Sequence, residues 1–206
     1  MALVKYNNNS ISAVTALDSV PSGSLVLLAT NTITSGVASS SFTSNIDSTY
    51  NTYMFKFINI HPASDAHFTF NGSTDGGSNY NVTKTSTNFR AYHAESGSAS
   101  GLSYRTGADL AQSTAYDILD ADGTVSNNDD SGFCGDLFLF SPSSTTFVKH
   151  YISVSNDMVA GGASQTTNNY NAGYMNTTSA INAIDFKFSS GNIDSGVIKM
   201  YGLRES

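Results

Sequence analysis

Four histidines (His61, His67, His93 and His150), one cysteine (Cys134) and an acidic run from Asp117 to Asp130 are the residues best equipped for chemistry. Metal and nucleophile sites need such groups at fixed spacings, as in H-E-x-x-H or a serine in a G-x-S-x-G elbow. No histidine stands in an H-x-x-x-H or H-E-x-x-H frame, and no G-x-S-x-G elbow is present. A glycosidase needs two carboxyls flanking a sugar cleft; here Glu occurs only at Glu95 and Glu205, and most aspartates sit in turn-like stretches. A lone cysteine permits no intrachain disulfide. Cys134, inside the strand-like run Phe133–Phe140, reads as a small buried hydrophobe.

Two groups of residues point to binding. Asp120-x-Asp122-Gly123 opens like a calcium loop, with Asp129 and Asp130 as further oxygens. The glycine comes two positions early for an EF-hand, however, and no glutamate follows at the twelfth position. A solvated loop is therefore expected, with no metal and no other cofactor. Aromatics beside Asn and Asp also look like sugar-binding loops, in Asn45–Tyr53 and in Asn168–Tyr174, where Tyr170 and Tyr174 are the candidates. The absence of Trp removes the largest stacking platform.

The elements that must position these groups read as strands. They are Leu25–Ile33, Ala38–Thr43, Tyr53–Ile60, His67–Asn71, Tyr80–His93, Phe133–Phe140, Thr146–Ser155, Tyr170–Met175, Ile184–Phe188 and Gly196–Tyr201. Each is short, rich in Val, Ile, Phe, Tyr and Thr, and bounded by turn residues. Asp75-Gly76-Gly77, Asp122-Gly123, Gly161-Gly162 and Gly191-Asn192 supply positions that tolerate positive φ. Ala94–Ser131 reads as a long loop with a short helical turn near Ala108–Ser113.

Alternation assigns faces. Ile184, Phe186 and Phe188 oppose Asp185 and Lys187, and Ile198 and Met200 oppose Lys199. Val148, Ile152 and Val154 share a face with His150, while Lys149 and Ser153 take the other. On this pattern His150 is a core or interface histidine, and the polar faces are the solvated ones. The fold class is all-β: a single two-sheet antiparallel β-sandwich of jelly-roll type over residues 24–206. Residues 1–23, with Asn7-Asn8-Asn9 and Pro21-Ser22-Gly23, read as an extended N-terminal arm whose apolar positions Leu3, Val4, Tyr6 and Ile11 would anchor it in an assembly.

Charged residues make up 12% of the chain, about half the roughly 25% usual for soluble proteins. The 11 Tyr and 12 Phe are nonetheless enough to build a core, which separates this composition from that of a disordered chain. A net charge of −7 without a basic cluster makes nucleic acid a poor partner. The longest apolar run, Leu25–Ala29, is far too short to span a bilayer, and the first residues lack the apolar region of a signal peptide. Synthesis in a cytosol is expected, with exit by lysis or assembly.

The segment Ala183–Leu203 (AIDFKFSSGNIDSGVIKMYGL) resembles the closing hairpin of a family of virion structural proteins of marine and cyanobacterial tailed phages. Tyr53–Pro62 (YMFKFINIHP), Gly77–Lys84 (GSNYNVTK), Phe140–His150 (FSPSSTTFVKH) and the opening Met1–Ser10 are similar to the same family. The resemblance implies a β-sandwich located in the virion and carries no catalytic signature. It leads to the expectation of a non-enzymatic subunit: a capsid decoration, head fibre or tail-associated protein docking through its arm. Its partners would be other phage structural proteins of the capsid or tail. A homo-oligomer is expected, with a trimer among the options. The alternative is a lectin-like receptor-binding module of a tail fibre that recognises host surface glycan.

For the acidic run, the expected outcome of a calcium titration followed by melting temperature is no shift at millimolar Ca²⁺. A rise of several degrees would restore a calcium loop.

Overall fold

The computed structural model describes residues 25–120, 123–160 and 164–204. Twelve strands follow one another: β1 (Leu25–Ile33), β2 (Ser40–Phe42), β3 (Thr52–Pro62), β4 (Phe68–Ser73), β5 (Lys84–Ala94), β6 (Ser100–Tyr104), β7 (Asp117–Ile118), β8 (Phe133–Phe140), β9 (Lys149–Met158), β10 (Gln165–Met175), β11 (Ala183–Phe188) and β12 (Ile193–Leu203). They form an eight-stranded sheet, β1-β12-β3-β8-β9-β10-β5-β6, and a four-stranded sheet, β2-β11-β4-β7. Every pairing is antiparallel. The chain is thus the all-β sandwich its alternation predicts, with sheets of unequal size. The predicted arm, with Leu3, Val4, Tyr6 and Ile11, lies outside the described residues.

Strand positions follow the apolar pattern where one face is buried. β1 and β8 occupy the predicted spans, and β12 extends two to three residues beyond its expected ends. Gly76, Gly77, Gly123 and Gly191 take positive φ, as the turn chemistry requires. Three expectations need correction. β5 begins at Lys84, because the backbone of Lys84 pairs with Ser113 and the residues before it form a loop. β6 and β7 were not expected. The helical turn near Ala108–Ser113 is absent: Leu110 and Ser113 accept from Ser86 and Lys84 instead, so this stretch runs along β5 rather than coiling on itself.

The apolar core lies between β12-β3-β8 and the four-stranded sheet. Phe186 on β11 is at its centre, fully buried, with the rings of Phe57 and Phe55 at 5.1 and 5.3 Å. Phe42, Phe68 and Phe70 complete the cage at 6.0–6.4 Å. Phe42, Phe55 and Phe57 meet the central ring edge-on or tilted, and Phe68 and Phe70 lie stacked against it, geometries that suit the aromatic quadrupole and fill space densely.

Phe186→Ala should lower stability by about 3–5 kcal/mol, the range for deleting a fully buried ring. Denaturant unfolding checks this; a loss below about 1 kcal/mol would mean the ring cage is not the core.

Candidate functional site

The inner face of β9, β10 and β5 is polar. On β9 the buried residues are Lys149, Tyr151, Ser153, Ser155 and Asp157, while His150, Ile152, Val154 and Asn156 are exposed. The face assignment drawn from the sequence is therefore inverted: the apolar side of β9 points to solvent, and His150 goes with it. The reason is what lies underneath. The connection between β6 and β8 covers this half of the sheet as largely irregular chain, and its buried carbonyls and amides need partners. Asn88 Nδ2 donates to Ala108 O (3.0 Å), Asn171 Nδ2 to Ile118 O (2.9 Å) and Ser155 Oγ to Leu119 O (3.0 Å). An apolar floor would leave all three carbonyls unpaired.

Asp117, on β7, is the hub. Its buried carboxylate accepts from Tyr151 Oη, from Ser86 Oγ (3.0 Å) and from Asn171 Nδ2 (3.3 Å). A Cβ at Gly173 would collide with the Tyr151 hydroxyl and the Thr85 carbonyl, so glycine there lets Tyr151 reach Asp117. Burial pushes the Asp117 carboxyl above its usual range. Nearby Lys84, fully buried, donates to Asn71 Oδ1 (2.6 Å) and Val82 O (3.0 Å). Burial lowers its ammonium to about 8, with the Asp117 charge opposing the drop.

The outer face of the same sheet carries the displaced apolar side chains. Among the described residues, seven of the eight large exposed hydrophobics stand on it: Leu25, Leu27, Phe89, Leu102, Tyr104, Ile152 and Val154. The pairing register sets them in rows. One row runs Leu27, Tyr201, Met54, Phe138, Ile152, Ala172, Thr87. The next runs Thr30, Lys199, Lys56, Asp136, Val154, Tyr170, Phe89, Tyr104, crossing all eight strands. Lys56 Nζ donates to Asp136 Oδ1 at 3.1 Å within that row. The exposed apolar side chains thus gather on the β9-β10-β5-β6 half, with Leu25 and Leu27 at the β1 edge, while Lys199, Lys56 and Asp136 hold the ground between; a cluster of large exposed hydrophobics of this kind often marks a contact surface.

Both tyrosine candidates lie on this face, in β10 rather than in a loop. Tyr170 stacks on Phe89, ring centroids 4.7 Å apart and planes 5° from parallel. That stack covers one face of the Tyr170 ring, and Val154 is its register partner on β9. The Tyr174 hydroxyl accepts from Gln112 Nε2 at 3.3 Å.

Most of the remaining candidates meet at one place. An open cleft of about 610 Å³ at one end of the sandwich is lined by His61, His93, Glu95, Asp129, Asp130 and Cys134, among others. His61 Nε2 lies 3.1 Å from Asn128 O, and Cys134 Sγ exchanges hydrogen bonds with Asn59. No hydrogen bond joins Cys134 to a histidine among the described residues, so a thiol and a base are not coupled there. Of the calcium candidates, Asp129 and Asp130 line this cleft, Asp120 is fully buried elsewhere, and Asp122 lies outside the described residues. Among the described residues no three His, Cys, Asp or Glu side chains come together as a metal-binding group. No known family, curated protein or solved structure matches the chain.

Asp120 pairs with His67 instead: Oδ2 lies 3.1 Å from Nδ1, while Oδ1 accepts from Phe68 N at 3.0 Å. Burial pushes the Asp120 carboxyl up to about 7, outweighing the hydrogen bond from His67. That same hydrogen bond raises the His67 ring above its usual 6.5. Both folded-state values exceed the unfolded ones, so folding takes up protons here. The stability from Asp120 is complete below 3.8 and lost as pH rises through about 7. That from His67 is complete below 6.5 and lost as pH rises through its raised value. Melting temperature should therefore fall between about pH 5 and about pH 8, and Asp120→Asn, which keeps an acceptor for Phe68 N, should flatten that slope. An unchanged slope in the variant would show that the pair does not bind the proton.

Proposed function

We propose that this chain is a non-enzymatic structural subunit of a tailed bacteriophage particle, held there by protein contacts on the outer face of its eight-stranded sheet. The observation that carries the docking role is the inversion itself. Hydrogen-bonding side chains fill the interior under β9, β10 and β5, while Ile152, Val154, Phe89, Leu102 and Tyr104 are left in water. That arrangement raises the free energy of an isolated chain and lowers that of an assembled one. The sparse surface charge fits the same role, since few charges stand in the way of close approach. The phage setting is supported by the resemblance of Ala183–Leu203 and its companion stretches to virion proteins. The docking reading is favoured over glycan binding because Phe89 already covers one face of the Tyr170 ring, which leaves less of it for a sugar to stack on.

Antibody against the chain, applied to particles of a phage that encodes it, should label every particle at a fixed position on head or tail. Particles that bind no antibody and yield no peptide of this chain would overturn the reading.

A further inference from the structure

Lys84 is a cation in a costly place. It is fully buried at the start of β5, and among the described residues no carboxylate lies within ion-pair distance of its Nζ. A buried ammonium without a contacting anion is unfavourable. Its closest partner is a side-chain amide: Nζ lies 2.6 Å from Oδ1 of Asn71, which is itself fully buried on β4. β5 belongs to the eight-stranded sheet and β4 to the four-stranded one, so the pair bridges the two layers.

The Asn71 amide is held in one orientation. Gly72 N donates to Oδ1 at 2.8 Å, while Nδ2 donates to Tyr80 O at 2.9 Å and to Thr114 O at 3.0 Å. A flipped amide would set donor against donor and acceptor against acceptor. A hydrogen bond of the Lys84 length, at the usual carbonyl angle of about 120°, sets Nζ about 3.4 Å from Asn71 Cγ, inside the roughly 3–3.5 Å of a pair ready to react. Burial lowers the Lys84 ammonium to about 8. About a tenth of it is therefore neutral amine, the nucleophilic form, near neutrality.

We propose that Lys84 and Asn71 condense into an isopeptide bond that ties β5 to β4. Nζ attacks Asn71 Cγ, and the carbonyl electron pair moves onto Oδ1, where the Gly72 N–H meets the developing charge. A proton passes from Nζ to Nδ2, whose hydrogen bonds to two backbone carbonyls favour its protonated, departing form. The Cγ–Nδ2 bond breaks as the carbonyl re-forms, the Cγ–Nζ bond remains, and ammonia leaves. One amine and one amide are consumed, and one amide and one ammonia are made, with no oxidant or co-reactant. The exchange also takes a charge out of the interior, which favours the product. Lys149, the other buried lysine among the described residues, donates to the Thr177 backbone carbonyl, where the same exchange would cut the chain. The bond involves nothing on the outer face and holds wherever the chain docks.

Mass spectrometry of the full folded chain after tryptic digestion tests it. Trypsin cuts after unmodified lysine and arginine, so a chain without the bond gives Phe57–Lys84 and Thr85–Arg90. The joined chain should give one peptide, Phe57–Arg90, lighter than its sequence by about 17 Da, the mass of the lost ammonia. Its fragmentation should show no breaks between Asn71 and Lys84. Lys84→Met keeps an apolar stem and removes the nucleophile, so its Phe57–Arg90 peptide should return to full mass and fragment throughout. Asn71→Ala should restore cutting after Lys84. Recovery of Phe57–Lys84 at full mass from the wild type would overturn the inference, whatever the variants do. So would a deficit that persists in Lys84→Met, or one that leaves Lys84 open to trypsin, the mark of a succinimide at an asparagine.

Discussion

Irregular chain buried against a sheet must have its amides and carbonyls met, and this constraint shapes the whole molecule. Under β12, β3 and β8 the opposing layer is itself a sheet, its backbone bonded strand to strand, so phenylalanine can fill the gap. Under β9, β10 and β5 the opposing layer is the connection between β6 and β8, which satisfies much of its backbone through the side chains of Asn88, Asn171 and Ser155. One continuous eight-stranded sheet thus has an oily inner half and a hydrogen-bonded inner half. Because side chains alternate along a strand, a polar inside leaves the apolar set outside.

This division explains which parts were legible in the sequence. Strands over the oily half, such as β8 and β11, show the usual rule of apolar inward, and Ile184, Phe186 and Phe188 are buried as their spacing implies. The class of fold follows from such strands and from the glycine turns. β9 defeats the rule: its alternation is clear, but period two fixes only that two faces differ, and the chemistry of the layer underneath decides which is inside. β6 and β7 are short and bring few large apolar residues, so tertiary pairing rather than local preference creates them. Tyr170 and Tyr174 were visible as aromatics among asparagines; their place on a broad face depends on the register of five neighbouring strands, which no local pattern encodes.

The hydrogen-bonded half also concentrates the unusual electrostatics. Asp117, Asp157 and Asp120 are all raised by burial, and Lys84 is lowered by it. These groups are held by hydroxyls and amides: Asp157 Oδ1, for example, takes 2.6 Å bonds from Thr167 Oγ1 and Asn169 Nδ2. Perturbed carboxyls often mark catalytic clefts. Here Asp117 and Asp120 anchor the connection to β9 and β4, whereas Asp157 also lines the open cleft beside His61, His93 and Glu95.

An interior built half of amides and hydroxyls has a calorimetric consequence. Exposing apolar surface raises heat capacity on unfolding, whereas exposing polar surface lowers it. The layer around Asp117 and Asn171 therefore subtracts where the Phe186 cage adds, and the temperature curve of stability is flatter than that of an all-hydrocarbon sandwich of equal length. Such a chain loses less of its stability margin on cooling or warming than an all-hydrocarbon one.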